Sequence, residues 1–209
     1  MATYIIIAII AYAIGSINFS VLISKKMAGF DVREKGSGNA GTTNMLRSVG
    51  KKAAAITLIC DILKGVVAIL IALFIGKIID SANASALVQT AGIAVILGHT
   101  FPIFFKFKGG KGVATSLGVL IMSNWQIGLI CLVFALILIA LTQMVSVGSI
   151  AAAVLYPVLT LFIPQNYITE GNYLIYSILL AVLIIFNHRE NVKRLLNGTE
   201  NRISFKGLS

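Results

Sequence analysis

The stretch His99-Thr-Phe-Pro-Ile-Phe-Phe-Lys-Phe-Lys-Gly-Gly-Lys-Gly-Val-Ala-Thr115 joins the end of one apolar segment to the start of the next. Its centre, Lys108-Gly-Gly-Lys-Gly112, places two lysines among three glycines. Glycine lets backbone N–H groups approach a ligand closely, and a helix beginning near Val113 would point its free N–H groups at the same place, which favours anions. The pattern predicts a phosphate site at a membrane surface. A tight cytoplasmic turn whose lysines follow the positive-inside rule is the alternative.

The composition surrounding this stretch is that of a membrane protein. The 209 residues are 58% hydrophobic and only 11% charged, and the mean hydropathy is +0.96. These values exclude an ordinary soluble domain and indicate a polytopic membrane protein. We assign residues 1–209 to a single integral membrane domain, because neither a low-complexity linker nor a fixed-period repeat divides the chain.

The net charge of +10 has a different meaning here from the one it has in a soluble protein. The cations lie in short segments between apolar ones, so membrane orientation and an anionic lipid or substrate explain them better than nucleic acid does. No nucleic-acid partner is expected. Cys60 and Cys131 stand inside apolar segments without metal-ligand spacing, so they predict neither a disulfide framework nor a structural zinc site.

Seven apolar segments alternate with polar ones, and we predict an all-α fold of seven transmembrane helices. The segments cover 3–24, 53–75, 85–105, 113–123, 127–141, 150–162 and 172–186. The first would be about 33 Å long as a helix, enough to cross the hydrocarbon core, and it lacks the basic start and cleavage site of a signal peptide. The fourth has eleven residues, so a tilted helix or half of a re-entrant pair is the alternative to a full crossing.

Lysine and arginine are distributed unevenly among the connecting segments. Segment 25–52 has seven, segment 106–111 has three and the tail from Asn187 has five, whereas the other connections have one, Lys77. Seven spans with the N-terminus outside place the fifteen cations of these three segments, and the C-terminus, on the cytoplasmic side. Five spans keep this pattern only if 112–142 forms a re-entrant hairpin. The three polar segments, which begin at Gly36, His99 and Asn187, then share one cytoplasmic face.

The polar segment Gly36-Ser-Gly-Asn-Ala-Gly-Thr-Thr-Asn-Met-Leu-Arg47 has three glycines, three hydroxyl groups, two amides and one arginine. It carries many donors on a flexible backbone and has little to bury. This is typical of a loop that wraps a polar ligand. An ordinary turn-rich loop is the alternative.

Two opposite charges fall inside the second apolar segment. Asp61 and Lys64 are three residues apart and share one helical face, about 12 to 16 Å along the axis from Ala53. Charges at that depth are costly, and they either pair with each other or line a cavity. The two residues are therefore a structural ion pair or part of the inner wall of a polar site. A lone histidine such as His99 is more often a packing residue than a catalyst.

The polar groups on the common face suit a pair of phosphorylated reactants. Guanidinium groups bind phosphate through paired hydrogen bonds, and ammonium groups bind it as point charges. Motifs of other enzymes are missing from the sequence: there is no Gly-x-Ser-x-Gly nucleophile and no Walker loop. The positions five residues after His99 and His188 hold Phe104 and Lys193 rather than an acid, so the His-x4-Asp acyltransferase motif is also missing.

Taken together, the motifs resemble those of the bacterial membrane glycerol-3-phosphate acyltransferases that use acyl phosphate, the PlsY family. The matching residues are Gly36 through Arg47, Asp61-Ile-Leu-Lys-Gly65, Gly98-His-Thr-Phe-Pro102 with Phe107-Lys-Gly-Gly-Lys-Gly-Val-Ala-Thr115, and Asn187-His-Arg-Glu-Asn191. Each motif alone is weak, whereas the combination is highly specific.

The resemblance implies a single reaction, in which an acyl phosphate donates its acyl group to the 1-hydroxyl of glycerol 3-phosphate. The products would be 1-acyl-glycerol 3-phosphate (lysophosphatidate) and phosphate, at the first step of phospholipid synthesis, with no metal or other cofactor. The donor would come from an acyl-ACP:phosphate acyltransferase. The enzyme would be a multi-pass protein of the bacterial inner (plasma) membrane with its active site facing the cytoplasm.

The resemblance also implies roles for individual residues. The catalytic residues would be Ser37, Asn39, Lys111 and His188. Substrate-binding residues would be Gly38, Thr43, Arg47, Asp61, Lys64, His99, Lys106, Lys108, Gly109, Gly110, Gly112, Thr115, Ser146, Asn187, Arg189 and Asn191. Lys111 with Arg47, His188 and Asn191 would hold glycerol phosphate, and Ser37, Asn39 and the glycines would hold acyl phosphate, with the N–H groups near Gly38 and Gly109–Gly110 as anion donors.

The sequence does not identify a general base. The donor phosphate can take the hydroxyl proton itself, or His188 or Asp61 can take it. We favour direct, substrate-assisted transfer over a covalent intermediate on Ser37, because no base is evident beside that hydroxyl.

A transporter for a phosphorylated solute is the competing class. Seven spans, the charges at Asp61 and Lys64, and a basic mouth also suit that function. Against it, the chain is small, has no inverted repeat and carries its polar groups on one face only.

Overall fold

The computed structural model describes residues 1–79, 83–164 and 171–203. In these ranges the chain is helical, with short 3-10 turns and no strand. The α-helices are α1 Ala2–Gly15, α2 Phe19–Ala28, α3 Thr42–Ser48, α4 Lys51–Ile79, α5 Ala84–Thr100, α6 Val113–Ser123, α7 Trp125–Thr142, α8 Val145–Phe162, α9 Tyr173–Asn187 and α10 Arg189–Leu196.

Within the described ranges, five helical segments have the length and hydropathy needed to cross a membrane. They are α1 together with α2, α4, α5 with the turn that follows it, α7, and α8. A sixth is obtained if α9 and α10, which meet at 61°, count as one span, and α6 is apolar but shorter. The predicted all-helical membrane fold is confirmed. Each predicted apolar segment corresponds to a helix or a broken helix, whereas seven full crossings and the orientation of the termini stay predictions.

The first apolar segment, predicted as one helix over 3–24, is in fact two helices. α1 ends at Gly15, and α2 begins at Phe19 with the Asn18 side chain accepting a hydrogen bond from the N–H of Val21 at 3.2 Å. The interruption leaves the carbonyl of Ile17 outside both helices. The ammonium group of Lys64, on α4, donates to that carbonyl at 3.1 Å. A buried cation from another helix thus compensates for the break.

Two segments predicted as connections contain helix. Segment 25–52 includes a 3-10 turn at Val32–Glu34 as well as α3, and the predicted turn at 143–149 is mostly the start of α8. α7 stops where Gln143 adopts a left-handed conformation, with φ of 60°. α8 starts two residues later, so Ser146 lies on a helix and not in a turn.

The close packing of α4 on α6 depends on two glycines that face the opposite main chain. A Cβ on Gly65 would overlap the carbonyl of Thr115, and a Cβ on Gly118 would overlap the carbonyl of Ile62. Small residues at such positions let helices approach closely inside a membrane, where van der Waals contact drives association. The interface between α1 and α5 has the same construction, with Gly15 and Gly98.

We expect Gly65→Leu to lower the midpoint of thermal unfolding in detergent by about 4 to 8 °C, which corresponds to about 2 kcal/mol of overpacking. Ala55→Leu is the matched control, because Ala55 is an exposed residue of the same helix. Circular dichroism of both purified variants measures the effect. Equal midpoints for the two would show that the α4–α6 contact does not require glycine.

Candidate active site

A buried amide holds the loop before α3 in shape. The side-chain nitrogen of Asn44 lies within 3.1 Å of three carbonyl oxygens of the loop, that of Asn39 among them. Its oxygen accepts a hydrogen bond from the N–H of Ser37 at 3.0 Å. Gly36 and Gly38 adopt left-handed conformations, with φ of 58° and 71°, which favour glycine. The result is a rigid loop that presents Ser37 and Asn39 to the cavity described below.

The glycine-lysine loop is tied back to the end of α5. The N–H of Gly109 donates to the carbonyl of Thr100, and the N–H of Gly110 donates to the carbonyl of His99, both at 3.1 Å. These two N–H groups are therefore engaged, and the expectation that they bind an anion is wrong for this conformation. The glycines serve close packing instead, since a Cβ on either would overlap α5 or the His99 ring. Gly112, with φ of 87°, is the N-cap of α6.

The loop directs Lys111 into a network of polar side chains. The Lys111 ammonium group donates to the amide oxygen of Asn191, and the amide nitrogen of Asn191 donates to the carboxylate of Glu200 at 2.7 Å. Ser146 and Arg194 donate to the same carboxylate at 3.0 and 2.9 Å. Glu200 thereby joins residues from α8 and α10, and through Asn191 it joins Lys111 as well.

The cations of this network lie close enough to affect one another. Burial, together with the charges of Arg194 and Arg47, lowers the pKa of Lys111 to about 8, against a smaller opposing effect of Glu200. Burial also lowers the pKa of Arg47. Burial acts to raise the pKa of Glu200, but hydrogen bonds from the side chains around it hold that pKa below its usual value. The site is therefore a concentration of positive charge that an anion would relieve.

Asp61 and Lys64 form a buried ion pair, as one of the two sequence interpretations proposed. Their charged atoms are 2.9 Å apart, and the side chains are almost fully buried. The Nδ1 atom of His99 lies 3.5 Å from the same carboxylate oxygen. Lys64 in addition bonds to Ile17, so the pair links α4 to the α1–α2 break and to α5.

These elements enclose a cavity of about 640 Å³. One end is polar and is lined by Ser37, Asn39, Thr43, Arg47, Lys111, Ser146, His188, Asn191, Arg194 and Glu200. From there the cavity extends between α6, α7, α8 and α9 along apolar side chains that include Leu120, Leu132, Ala135, Ile139, Ala153, Leu180 and Ile184. Such a cavity suits an amphiphile that has a charged head and a hydrocarbon tail.

A family model described as glycerol-3-phosphate acyltransferase matches residues 5–198. The chain belongs to the glycerol-3-phosphate acyltransferase family. This confirms the resemblance inferred from the motifs, and it identifies the chain as an acyltransferase that is integral to a membrane.

Individual members of the glycerol-3-phosphate acyltransferase family are similar over almost the whole chain. A glycerol-3-phosphate acyltransferase of Clostridioides difficile is 44% identical over 98% of this chain and 97% of its own. Glycerol-3-phosphate acyltransferase 2 of Thermotoga maritima is 42% identical over 94% of each.

Crystal structures of PlsY, an integral membrane glycerol 3-phosphate acyltransferase, share the fold. Its glycerol 3-phosphate form has a TM-score of 0.86 and 36% identity over 98% of each chain. Its lysophosphatidic acid form has a TM-score of 0.82 and 35% identity over 96% of this chain and 95% of the other.

Most of the residues predicted for the acyltransferase site line the one cavity. They are Ser37, Asn39, Thr43, Arg47, Asp61, His99, Lys111, Gly112, Ser146, His188 and Asn191. All four residues with a predicted catalytic role are in this group. They come from the loop before α3, from the glycine-lysine loop and from the junction of α9 with α10, as the predicted common face required.

Other predicted residues lie outside the cavity lining, namely Gly38, Lys64, Lys106, Lys108, Gly109, Gly110, Thr115, Asn187 and Arg189. Lys106 and Lys108 are exposed, and the Arg189 guanidinium group stacks over the ring of Phe186 at 4.9 Å. Asn187 has a supporting position, because its amide donates to the carbonyl of Lys111 at 3.3 Å. Among these residues, Lys64 and Asn187 thus act on the site through their neighbours.

Sequence reasoning missed Asn44, Arg194 and Glu200. In the sequence, Asn44 is not distinguished from the other small polar residues of its motif. Arg194 is likewise not distinguished from the other cations of the tail. Glu200 offered one usable signal, since it is an acid within a strongly basic tail.

We expect the apparent second-order rate constant kcat/KM for glycerol 3-phosphate to fall by about tenfold per pH unit above about pH 8. Burial, with the charge of Arg194, lowers the pKa of Lys111 to about 8, and deprotonation of Lys111 removes a charge that attracts phosphate. In Lys111→Arg the guanidinium group stays charged, so the alkaline fall should vanish even if the overall rate is lower. An alkaline fall that is unchanged in Lys111→Arg would assign it to another group.

We expect Lys64→Met to cost about 3–5 kcal/mol of stability, because it leaves the buried carboxylate of Asp61 without its partner. The double variant Asp61→Asn/Lys64→Met should recover at least half of that loss. Thermal unfolding in detergent measures both. A double variant that is no more stable than Lys64→Met would contradict a mutually neutralising pair.

Proposed function

We propose that this family member transfers the acyl group of an acyl phosphate directly to the 1-hydroxyl of glycerol 3-phosphate. The observation that carries the proposal is the two-part cavity, with cations and hydroxyl groups at one end and hydrocarbon side chains along the rest. A single site of this kind accommodates the phosphate groups of both reactants and the acyl chain of the donor.

The acceptor is assigned to the cationic end. Arg47, Lys111 and Arg194 converge there, and guanidinium and ammonium groups are the side chains that bind phosphate most strongly. Ser146 and Asn191 provide neutral hydrogen-bonding groups that suit the glycerol hydroxyls. The glycerol 3-phosphate form of PlsY, which shares the fold, supports this acceptor.

An acyl phosphate fits the chemistry of the remaining groups. It is already activated, because phosphate is a good leaving group, so positioning and charge stabilisation suffice for transfer. We place its phosphate against Ser37, Asn39 and the first N–H groups of α6, whose residues Val113 and Ala114 line the cavity. A helix N-terminus is a favourable site for an anion.

We assign the proton to the departing phosphate. The hydroxyl oxygen of glycerol 3-phosphate bonds to the acyl carbon, the bond from that carbon to the phosphate oxygen breaks, and the released phosphate carries the proton. The Nδ1 atom of His188 lies 2.7 Å from the carbonyl of Ile184. Because a carbonyl only accepts, Nδ1 carries the hydrogen, and Nε2 of the neutral ring is free to orient the attacking hydroxyl. Asp61 is less suited as a base, since Lys64 and His99 already engage it.

The shape of the cavity favours an enzyme over a transporter. Among its lining residues on α8, Tyr156 lies farthest from Ser146, and the buried ring of Tyr156 packs edge to face against Tyr173 at 6.1 Å between centroids. A transporter needs a polar route to the opposite side, whereas the side chains toward Tyr156 are mostly apolar.

We further propose seven crossings of a bacterial inner membrane, with the N-terminus outside and the polar end of the cavity facing the cytoplasm, in agreement with the distribution of cations. A soluble acyl-ACP:phosphate acyltransferase would then supply the donor from that side.

We expect purified protein in detergent to form labelled lysophosphatidate from radiolabelled glycerol 3-phosphate with dodecanoyl or palmitoyl phosphate, and not with the matching acyl-CoA. Lys111→Ala should reduce the rate by at least about 100-fold, since it removes a charge placed beside the reacting phosphates. Lys52→Ala, an exposed cation at the start of α4, is the matched control and should keep full activity.

Comparison of acyl phosphate with acyl-CoA as the donor distinguishes the possible outcomes of this assay. Product from acyl-CoA alone would overturn the proposed donor. No product from either donor in folded protein would overturn the proposed reaction, and uptake of glycerol 3-phosphate into liposomes would then test the transporter.

A further inference from the structure

The apolar part of the cavity follows one face of α8. Its lining residues on that helix are Val145, Ser146, Ser149, Ala152, Ala153 and Tyr156, which recur at intervals of three or four residues and therefore form a stripe. Ser146 belongs to the polar network at the cavity mouth. Tyr156 is ten residues farther on, about 15 Å along the helix axis. The face begins with small side chains and ends at a large one.

Lining residues on α7 and α9 extend along the cavity in the same direction as the stripe on α8. On α7 the lining residues Ile139, Ala135 and Cys131 are spaced by four residues, so they cover about 12 Å in the same direction. On α9, Ile184 and Leu180 continue inward from His188. Together with α6, which also lines the cavity, these helices form a channel of similar length that starts at the polar groups.

The ring of Tyr156, which is supported by two further tyrosine rings, lies at the inner end of this channel. The ring of Tyr156 is 3% exposed and packs against Tyr173, which in turn stacks on Tyr176 at 5.5 Å between centroids. Tyr176 fills the space where a Cβ on Gly92 of α5 would lie. Because the ring at the channel end is supported through two further rings by another helix, it cannot easily yield to a longer ligand.

We propose that Tyr156 determines the length of acyl chain that the enzyme accepts. The inference rests on the proposed acyl-phosphate transfer and adds a specificity-determining residue to it. Two tetrahedral carbon–carbon bonds of about 1.5 Å advance an extended chain by about 2.5 Å, so a straight chain of about twelve carbons matches the 15 Å of the channel. Transfer should decline for chains that would press against the Tyr156 ring.

The test is a competition among saturated acyl phosphates of 8 to about 18 carbons, with the lysophosphatidate products resolved by mass spectrometry. Tyr156→Ala removes the ring, and the product distribution should shift by about two to four carbons toward longer chains. Tyr156→Phe keeps the ring without its hydroxyl and should leave the distribution unchanged. Val154→Ala, an exposed position on the same helix, controls for general loosening of α8.

A second variant tests the opposite direction. Ala153 lines the channel about one turn nearer the mouth than Tyr156, so Ala153→Leu should shift the distribution by about two carbons toward shorter chains. Opposite shifts from these two positions are not expected from simple loss of stability. If neither variant changes the distribution while the wild type is active, Tyr156 does not set chain length.

Occupancy of the channel end can also be measured without turnover. Cys131 lines the cavity on α7, and in a Cys60→Ser background it is the only cysteine of the chain. Acyl phosphates that reach the Tyr156 end should slow its alkylation by N-ethylmaleimide by at least about tenfold, whereas an eight-carbon donor should not. Protection that is independent of chain length would overturn the proposed position of the chain. A wild type without any transfer activity would instead contradict the proposed function itself.

Discussion

A buried ammonium group, that of Lys64, connects the parts of this molecule that form the active site. It neutralises Asp61 and donates to the exposed carbonyl at the break between α1 and α2. Asp61 in turn approaches His99, whose own carbonyl receives the N–H of Gly110. In an apolar environment each of these groups would cost several kcal/mol without its partner. The glycine-lysine loop is therefore positioned by requirements that arise in the interior of the helix bundle.

The polar end of the cavity shows a second constraint, the placement of several cations around one carboxylate. Glu200 accepts hydrogen bonds from Ser146, Asn191 and Arg194, and Asn191 accepts one from Lys111. The arrangement keeps the cations near one another before any substrate is present. Their orientation then needs little reorganisation when a phosphate group arrives, which is the condition for strong electrostatic stabilisation of a reaction.

The sequence was sufficient for the helical membrane fold, the family and about half of the residues predicted for the site, which line one cavity. Hydropathy identified the apolar segments, and the distribution of lysine and arginine among the connections placed the segments that contain Ser37, Lys111 and His188 on one predicted face. These features are local, so they can be recognised in short stretches of sequence.

Interactions between distant parts of the chain were not predictable in this way. The break in the first span is compensated by a lysine 47 residues away, and hydropathy averages across such a break. The sequence predicts that the N–H groups of Gly109 and Gly110 bind an anion, but these groups donate to carbonyls at the end of α5. Glu200 lies in an irregular segment with no periodic pattern. Its position next to Ser146 depends on how α8 and α10 pack.

The wide separation of these residues along the chain has a consequence for biosynthesis. Arg47 and Glu200 are 153 residues apart in the sequence, so a ribosome working at about 5–20 residues per second needs roughly 8 to 30 s to synthesise the intervening helices. During that interval the loop of Ser37 and Asn39 exists without the carboxylate that completes the site. The hydrogen bonds of Asn44, which lie entirely within the early loop, allow this segment to keep its shape while the nascent chain is still being inserted.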